Sequence, residues 1–347
     1  MNDLDGRRVA IVMMSAIGDA VHTLPVINSL RAAAPAVHLT WILQPGPYGL
    51  VAHHPAVDEF ILFDRARGPR AFLDLWQQVR HRRFDLVLAL QVYFKAGVVV
   101  GMLRAPRKIG FDRRRARDLN WLFTNEHIPP RPPQHVLEQY FEFLDYLGVP
   151  RRLEWRLEAS PAERARYAPL LPADHPGPTI GFVLATSKPE KDWPAERYAA
   201  LADRLAADHG ARVVLVGGRT PREEAAAAVV RARARTPVLD LRAQDLRRLV
   251  ALTERLDVLV SPDTGPMHIG VALGVPTVGL LGYTNPKWGG PVRFRDLMVD
   301  AFGDPGEEYP SGRTYRPGRM RRIEVVDVAA KVAEALARYP RRSPSVR

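Results

Sequence analysis

One stretch decides the fold of the second half of the chain: Ser261-Pro262-Asp263-Thr264-Gly265-Pro266-Met267-His268-Ile269-Gly270. Residues 257–260 before it form a short, β-branched apolar run that is typical of a buried strand. Asp263 and Thr264 are residue types that begin helices, and the glycine and proline after them suit a tight turn. The stretch therefore predicts a strand, a turn and a helix whose first N–H groups can bind an anion. An ordinary strand-to-helix junction capped by Asp263 explains the same residues equally well.

Length and composition indicate a soluble globular protein. The 347 residues suffice for about two domains, each with its own hydrophobic core. The absence of cysteine excludes disulfides and thiolate metal sites. The most apolar run, residues 87–103, is interrupted by Gln91 and Lys95 and is shorter than the ~20 residues of a membrane span. Acidic residues near the N-terminus argue against a signal peptide.

The chain carries a formal net charge of +12, supplied mostly by arginine. Two clusters hold many of the basic residues: Arg104, Arg107, Lys108, Arg113, Arg114, Arg115 and Arg117 form the first, and Arg313, Arg316, Arg319, Arg321 and Arg322 form the second. Because a guanidinium pairs bidentately with phosphate or carboxylate, the clusters fit an anionic membrane surface or an acidic substrate. Plain solvated surface explains many of these residues as well. No recognisable nucleic-acid-binding motif accompanies them, so we expect no nucleic-acid partner.

Strands and helices are predicted to alternate along nearly the whole chain. The strands are expected at residues 9–14, 39–43, 60–63, 85–90, 179–184, 212–216 and 257–260. The helices are expected at residues 19–33, 71–81, 135–147, 162–167, 195–208, 245–254 and 325–339, after Thr220, and after the turn at Asp263, with a loop at 44–47. Such alternation predicts an α/β protein with parallel sheets, which bind ligands at the carboxyl ends of their strands. The aromatic face of the helix at 135–147 is expected to pack in the core.

Six prolines between residues 150 and 178, with few strand signals, indicate a domain boundary in this segment. We therefore expect an N-terminal domain of residues 1–160 and a C-terminal domain of residues 161–347, facing one another across a cleft. The last helix is free to pack back on the N-terminal domain.

Three loops follow predicted strands and carry candidate site residues. The first, Ser15-Ala16-Ile17-Gly18-Asp19, lacks the glycine patterns of dinucleotide and P-loop enzymes, and its Asp19 suits either a general base or the commoner helix N-cap. The second, residues 185–194, has two hydroxyls and two lysines that suit either phosphate binding or a mobile surface loop. The third is the turn at Asp263, continued by residues 283–288. One carboxylate and two anion-binding loops favour transfer from a diphosphate-activated donor.

These loops resemble motifs of the glycosyltransferase family that holds the ADP-heptose:lipopolysaccharide heptosyltransferases, glycosyltransferase family nine. The first motif is Ile17-Gly18-Asp19 followed by His22-Thr23-Leu24-Pro25. The second is Thr186-Ser187 with Lys191-Asp192-Trp193-Pro194, and the third runs from Ser261 through Pro276. The three motifs occur in the family's order at consistent spacing, and the resemblance covers nearly the whole chain.

The resemblance implies a GT-B fold of two Rossmann-like domains, with the acceptor bound mainly by the first and the donor by the second. It implies an inverting glycosyltransferase that needs neither a metal nor another cofactor. The donor would be an ADP-sugar carrying a heptose or a related sugar, and the acceptor would be the lipopolysaccharide inner core or a similar glycolipid. Such an enzyme would be cytoplasmic and peripheral on the anionic inner face of the cytoplasmic membrane.

The resemblance also implies roles for particular residues. Asp19 would be the catalytic base that deprotonates the acceptor hydroxyl, and Lys191 would stabilise the departing diphosphate. The donor-binding residues implied are Thr186, Ser187, Lys191, Asp263, Thr264, Gly265, Pro266 and His268. The acceptor-binding residues implied are Ser15, Gly18 and Arg117.

Two alternatives stay open. A non-catalytic nucleotide-sugar-binding protein would keep the cleft without the chemistry, and the presence of Asp19 and Lys191 argues against it. A glycosyltransferase of the same fold with another donor or acceptor is indicated by departures from the family pattern at Met13, at residues 218–220 and at Gln139.

Overall fold

Residues 4–339 are described by the structure, which is a computed structural model. The chain divides into two units, of which the first comprises the residues up to Pro132 together with Val136–Leu157. The second comprises Pro133–His135 and the residues from Glu158 onward. Among the described residues, no helix is long and apolar enough to cross a bilayer.

The first unit is built on one parallel sheet. Its strands are β1 (Arg8–Val12), β2 (His38–Leu43), β3 (Glu59–Leu62), β4 (Leu86–Ala89), β5 (Arg107–Gly110) and β6 (Glu126–His127), and its helices are α1 (Ile17–Ala33), α2 (Pro45–Val51), α3 (Arg70–Val79), α4 (Phe94–Met102) and α5 (Val136–Tyr146). Within residues 4–132 the strand order is β3-β2-β1-β4-β5-β6, with every pair parallel. Because the order reverses between β1 and β4, their carboxyl ends flank the crevice where such sheets bind ligands.

The core of the first unit follows from the hydrophobicity of its central strands. Residues 9–12 of β1 and 86–89 of β4 are buried, as expected for strands covered on both faces. Ala71, Leu75 and Val79 of α3 pack in one cluster with Val99 and Val100 of α4 against this sheet. The carboxyl ends of β1 and β4 therefore stand on a rigid base.

The second unit repeats the same topology. Its strands are β7 (Thr179–Phe182), β8 (Arg212–Leu215), β9 (Val238–Asp240), β10 (Val258–Pro262), β11 (Thr277–Leu281) and β12 (Val299–Asp300), and its helices are α6 (Pro161–Tyr167), α7 (Ala195–His209), α8 (Pro221–Arg233), α9 (Leu246–Thr253), α10 (Gly265–Ala272), α11 (Pro286–Gly289) and α12 (Val325–Arg338). In the described part of this unit the strands run parallel in the order β12-β11-β10-β7-β8-β9. The reversal of order now falls between β7 and β10. The last helix, α12, packs on α7, β10 and β11 of this same unit.

Several elements differ from those expected from the sequence. Residues 44–47, predicted as a loop, form the start of α2, because Pro45 occupies the first helical position, where a missing N–H costs nothing. The helix α4 lies within the apolar run 87–103 and was not predicted, and neither were β5, β6, β9, β11, β12 and α11. Strands of two or three residues, such as β6, β9 and β12, are too short to show an alternating pattern, so only their pairing identifies them.

Candidate active site

The turn from β10 into α10 forms the centre of the site in the second unit. β10 is buried throughout and pairs on one side with β7 and on the other with β11. α10 begins at Gly265 after Thr264, whose side chain makes no capping hydrogen bond, and Pro266 has no N–H to satisfy. The start of α10 therefore keeps its remaining N–H groups and the positive end of its dipole for an anion.

Asp263 connects this turn to the loop after β7. The Lys191 ammonium donates to Asp263 Oδ2 at 2.5 Å and to the Asp263 carbonyl oxygen at 3.3 Å, while His268 Nε2 lies 3.6 Å from Oδ1. Burial raises the pKa of Asp263, but the contact with His268 and the charge of Lys191 outweigh it and hold the pKa well below its usual range. Asp263 is thus ionised and fixes the Lys191 ammonium beside the start of α10.

Thr186 and Ser187, which were predicted to bind phosphate from the loop after β7, differ in their contacts and exposure. The Thr186 hydroxyl donates to the Lys188 carbonyl oxygen at 2.7 Å, and the Thr186 N–H donates to Asp192 Oδ1 at 2.7 Å. Arg222 donates to the Thr186 carbonyl oxygen. The Thr186 side chain therefore shapes its own loop, whereas Ser187 is exposed. Lys191 belongs to the same loop, and its side chain reaches the turn after β10.

A second lysine of the loop after β7, Lys188, lies against two tyrosine rings, a contact that we did not predict. The rings of Tyr283 and Tyr315 stack with centroids 5.1 Å apart. The Lys188 ammonium lies 5.1 Å from the centroid of Tyr315 and 5.9 Å from that of Tyr283, at cation–π distance. Because β10 lies between β11 and β7, the loops that carry Tyr283 and Lys188 follow the two strands on either side of it.

A small surface depression lies where β8 ends and after β9, on the same edge of the sheet. Its lining is mostly apolar and comprises Val216, Gly217, Leu241, Ala243, Asp245, Arg248, Leu249 and Leu252. The sequence did not reveal this depression, since its residues have the composition of an ordinary core.

Asp19, the predicted base of the first unit, lies in the first turn of α1. α1 begins at Ile17 after the N-cap residue Ala16, so Asp19 is the third helical residue and not the N-cap, although its carboxylate caps the start of the helix from that position. The Ala16 N–H donates to Asp19 Oδ2 at 2.9 Å, and the Tyr140 hydroxyl donates to Oδ1 at 3.1 Å. The carboxylate is therefore oriented by two donors.

Gln91, which interrupts the apolar run 87–103, forms hydrogen bonds with the loop after β1 that leads to Asp19. It follows β4, accepts a hydrogen bond from the Met14 N–H at 3.1 Å and donates to the Ser15 carbonyl oxygen. Gly18, the second residue of α1, completes this loop. The signal that could have identified Gln91 is a polar residue placed directly after a fully apolar strand.

The predicted acceptor residue Arg117 lies after β5 on an exposed loop. Its N–H donates to the Val92 carbonyl oxygen at 2.8 Å, which places it beside the end of β4. Other members of the two arginine clusters form ion pairs: Arg107 with Glu126, Arg115 with Asp112 and Glu142, Arg316 with Glu307, and Arg319 and Arg322 with Asp304. Many cluster charges are therefore balanced within the protein.

Over residues 4–339, no group of three His, Cys, Asp or Glu side chains could hold a metal ion.

The chain is similar to known proteins over most of its length. The model of glycosyltransferase family 9 (heptosyltransferase) matches residues 72–303, more than half of the chain. The lipopolysaccharide core heptosyltransferase OpsX of Haemophilus influenzae is 31% identical and covers 88% of this chain and 89% of its own. Lipopolysaccharide heptosyltransferase 1 of Escherichia coli strain K12 is 28% identical over 80% of this chain and 89% of its own.

Solved structures show the same fold. A glycosyltransferase family 9 protein from Veillonella parvula superposes with a TM-score of 0.84 at 24% identity, over 96% of this chain and 98% of that one. Escherichia coli heptosyltransferase WaaC, solved with ADP, gives 0.74 at 24% identity over 94% and 99%. The predicted GT-B architecture of two parallel-sheet α/β domains is thereby confirmed. From its loop motifs, the family match and its relatives, this chain belongs to glycosyltransferase family 9, the heptosyltransferase family.

Proposed function

We propose that this glycosyltransferase moves a heptose from an ADP-sugar to the lipopolysaccharide inner core or a similar glycolipid, with inversion and without a metal. The observation that carries the proposal is the Lys191 ammonium held by Asp263 at the start of α10. A fixed cation and a helix N-terminus are what a departing diphosphate requires. The names of the relatives, lipopolysaccharide heptosyltransferases, support the sugar and the acceptor.

The donor is proposed to lie along the carboxyl edge of the second sheet. Its diphosphate would occupy the β10 turn, with Thr264, Gly265, Pro266 and His268 around it and Thr186 and Ser187 in the adjoining loop. The strand order continues from β10 through β7 to β8 and β9. The base would therefore fall near the carboxyl ends of β8 and β9. Residues 161–347 would thus form the donor domain.

Residues 1–160 are proposed to bind the acceptor, through Ser15, Gly18 and Arg117. The Asp19 carboxylate would take the proton of the acceptor hydroxyl as its oxygen bonds to the anomeric carbon. The bond from that carbon to the diphosphate oxygen breaks on the opposite face, so the configuration inverts. Lys191 and the α10 N–H groups would neutralise the charge that develops on the ADP, which is the task a metal performs elsewhere. The reaction would take place at the inner face of the cytoplasmic membrane.

A panel of sugar nucleotides tests the donor. We expect ADP-heptose to raise the melting temperature, since a ligand at a hundred times its Kd stabilises by about 2.7 kcal/mol, while UDP-glucose and GDP-mannose at the same concentration do not. Transfer to an inner-core acceptor is expected to survive EDTA. Stabilisation by another sugar nucleotide would reassign the donor. Donor binding without transfer to any acceptor tried would favour the binding-protein alternative.

A further inference from the structure

An apolar patch is exposed on the first unit near the crevice that holds Asp19. Tyr93 and Phe94, at the start of α4, are 37% and 46% exposed, and Leu119 and Leu122, after β5, are 57% and 56% exposed. We call these four residues the anchor patch. Large apolar side chains exposed singly need no explanation, but four brought together mark an interaction surface.

The chain holds these four residues together through specific contacts. The Asn120 amide donates to the Tyr93 carbonyl oxygen at 2.8 Å, so the turn that carries the leucines is tied to the start of α4. The Phe94 ring packs edge-on against Phe123 at 5.6 Å. A Cβ at Gly97 would lie 2.4 Å from the Phe123 ring, so glycine at this position permits the close approach. These contacts fix the backbone that carries the anchor patch.

The backbone of this turn is strained where it exposes the leucine. Asp118 and Leu119 have φ values of 50° and 62°, in the left-handed region that bulky residues rarely adopt. Such strain is retained mainly where the surrounding structure uses it, as at binding surfaces.

The charges around the anchor patch are mainly positive. Lys95, Arg113, Arg114 and Arg117 are exposed in the same two segments, against Asp118 as the exposed acid among them. Arg113 also lies over the Trp121 ring at 4.4 Å. Apolar and aromatic side chains bordered by arginine and lysine are the composition of an interfacial anchor, which combines insertion with attraction to anionic headgroups.

We propose that the anchor patch docks the protein on an anionic lipid bilayer, with Leu119 and Leu122 inserted at the headgroup boundary. The patch follows the carboxyl ends of β4 and β5, and the Arg117 N–H bond to Val92 links it to the Gln91 loop beside Asp19. Docking there would present a membrane-embedded acceptor to the edge that carries the base. Only this last consequence rests on the proposed function.

Co-sedimentation with vesicles tests the docking. Wild-type protein is expected to bind vesicles containing phosphatidylglycerol more strongly than pure phosphatidylcholine vesicles, and less strongly at high salt. The double variant Leu119→Ser, Leu122→Ser is expected to bind at least ~10-fold more weakly, since two apolar anchors are lost. The matched control Leu153→Ser, Leu239→Ser changes two exposed leucines elsewhere and is expected to bind like the wild type.

Three outcomes would overturn the proposal. They are equal binding of the Leu119/Leu122 variant and the wild type, binding only when the glycolipid acceptor is in the vesicle, and loss of a dimer in the variant by sedimentation velocity. The second would assign the patch to the acceptor, and the third to a second copy of the chain. The variant is expected to retain its melting temperature and its transfer to a water-soluble acceptor without acyl chains. Failure of transfer in the wild type would instead contradict the proposed function.

Discussion

The Asp19 carboxylate is held in place by its two hydrogen-bond donors, Ala16 and Tyr140, and these make its role testable. Asn has almost the same shape and keeps one acceptor oxygen for the Ala16 N–H, but it cannot take up a proton. We expect Asp19→Asn to slow transfer by ~10²–10⁴, with donor affinity and melting temperature close to wild type. Initial rates at saturating donor, measured across pH, check this. The limb of the pH–rate profile that reports a carboxylate should disappear.

Tyr140→Phe is the matched control, because it removes one orienting donor and leaves the carboxylate. Its loss of rate is expected to be clearly smaller than that of Asp19→Asn, and its pH–rate profile should keep the carboxylate limb. Near-wild-type transfer by Asp19→Asn would reduce Asp19 to a structural residue of the first turn of α1. If Asp19→Asn unfolds, Asp19→Ser, which also lacks the carboxylate, provides the same comparison.

Single residues were predictable where a local motif names them and not where the site depends on distant contacts. Asp19, Lys191 and Asp263 follow strands within recognisable motifs. Tyr140 is separated from Asp19 by 121 residues and belongs to an aromatic helix face that core packing explains. Core packing is correct for that ring, which is buried, yet its hydroxyl reaches Asp19. A sequence pattern cannot show which buried hydroxyl has a functional partner.

At the level of elements, the long helices and most strands in apolar runs were predicted, and the strands of two or three residues were not. α1, α7 and α12 lie within a few residues of their predicted bounds, because their patterns extend over several turns. The strand β12 has two residues and exists only through its pairing with β11. The turn after β10 was predicted with both of its interpretations open. The contact between Lys191 and Asp263, which favours the anion site, is a tertiary contact that a local sequence pattern does not show.

Lys191 joins the loops after β7 and β10, so its removal should affect the donor site as a whole. We expect Lys191→Ala to weaken ADP binding and to slow transfer together, each by at least ~10-fold, because one charge serves both the bound and the departing diphosphate. It should also lower stability, since the Asp263 carboxylate then keeps only His268 among the contacts described above. Calorimetric titration with ADP and initial rates measure the two effects.

Lys188→Ala is the comparison, since this lysine lies on the Tyr283–Tyr315 pair and makes no ion pair with Asp263 in the described structure. Its effect on ADP affinity is expected to be smaller. The reverse order of effects would place the phosphate at Lys188 and leave Lys191 as a structural partner of Asp263.

Across the whole molecule, the two units share one strand order, with the first strand of each beside the fourth. In both units the candidate residues come from the loops after these two strands: Ser15 with Gln91 in the first, and Lys191 with Asp263 in the second. Alternation of strands and helices predicted parallel sheets and ligands at their carboxyl ends. It could not predict the strand order, because β-branched apolar strands of similar length can pair in many arrangements.

The stability of the molecule should depend on pH through His135. This buried side chain donates from Nε2 to the Gly290 carbonyl oxygen at 3.0 Å. Burial lowers its pKa to about 4; the Gly290 hydrogen bond and Asp263 oppose this shift, while His268 and Arg295 reinforce it. In the unfolded chain a histidine titrates near ~6.5. Between these values only the unfolded state binds the proton, so stability present above about pH 6.5 is lost as pH falls towards about 4.

We expect His135 to cost the protein about 2 kcal/mol of stability between pH 7.5 and 5.0. Calorimetric melting at both pH values, for wild type and His135→Gln, measures it, because glutamine can donate to a carbonyl oxygen but does not titrate. The wild type should lose more stability than the variant over this interval, whatever their absolute stabilities. Burial also lowers the pKa of His54, but this residue is present in both proteins and cancels in the comparison. Equal losses in the two proteins would show that His135 is not held neutral by the fold.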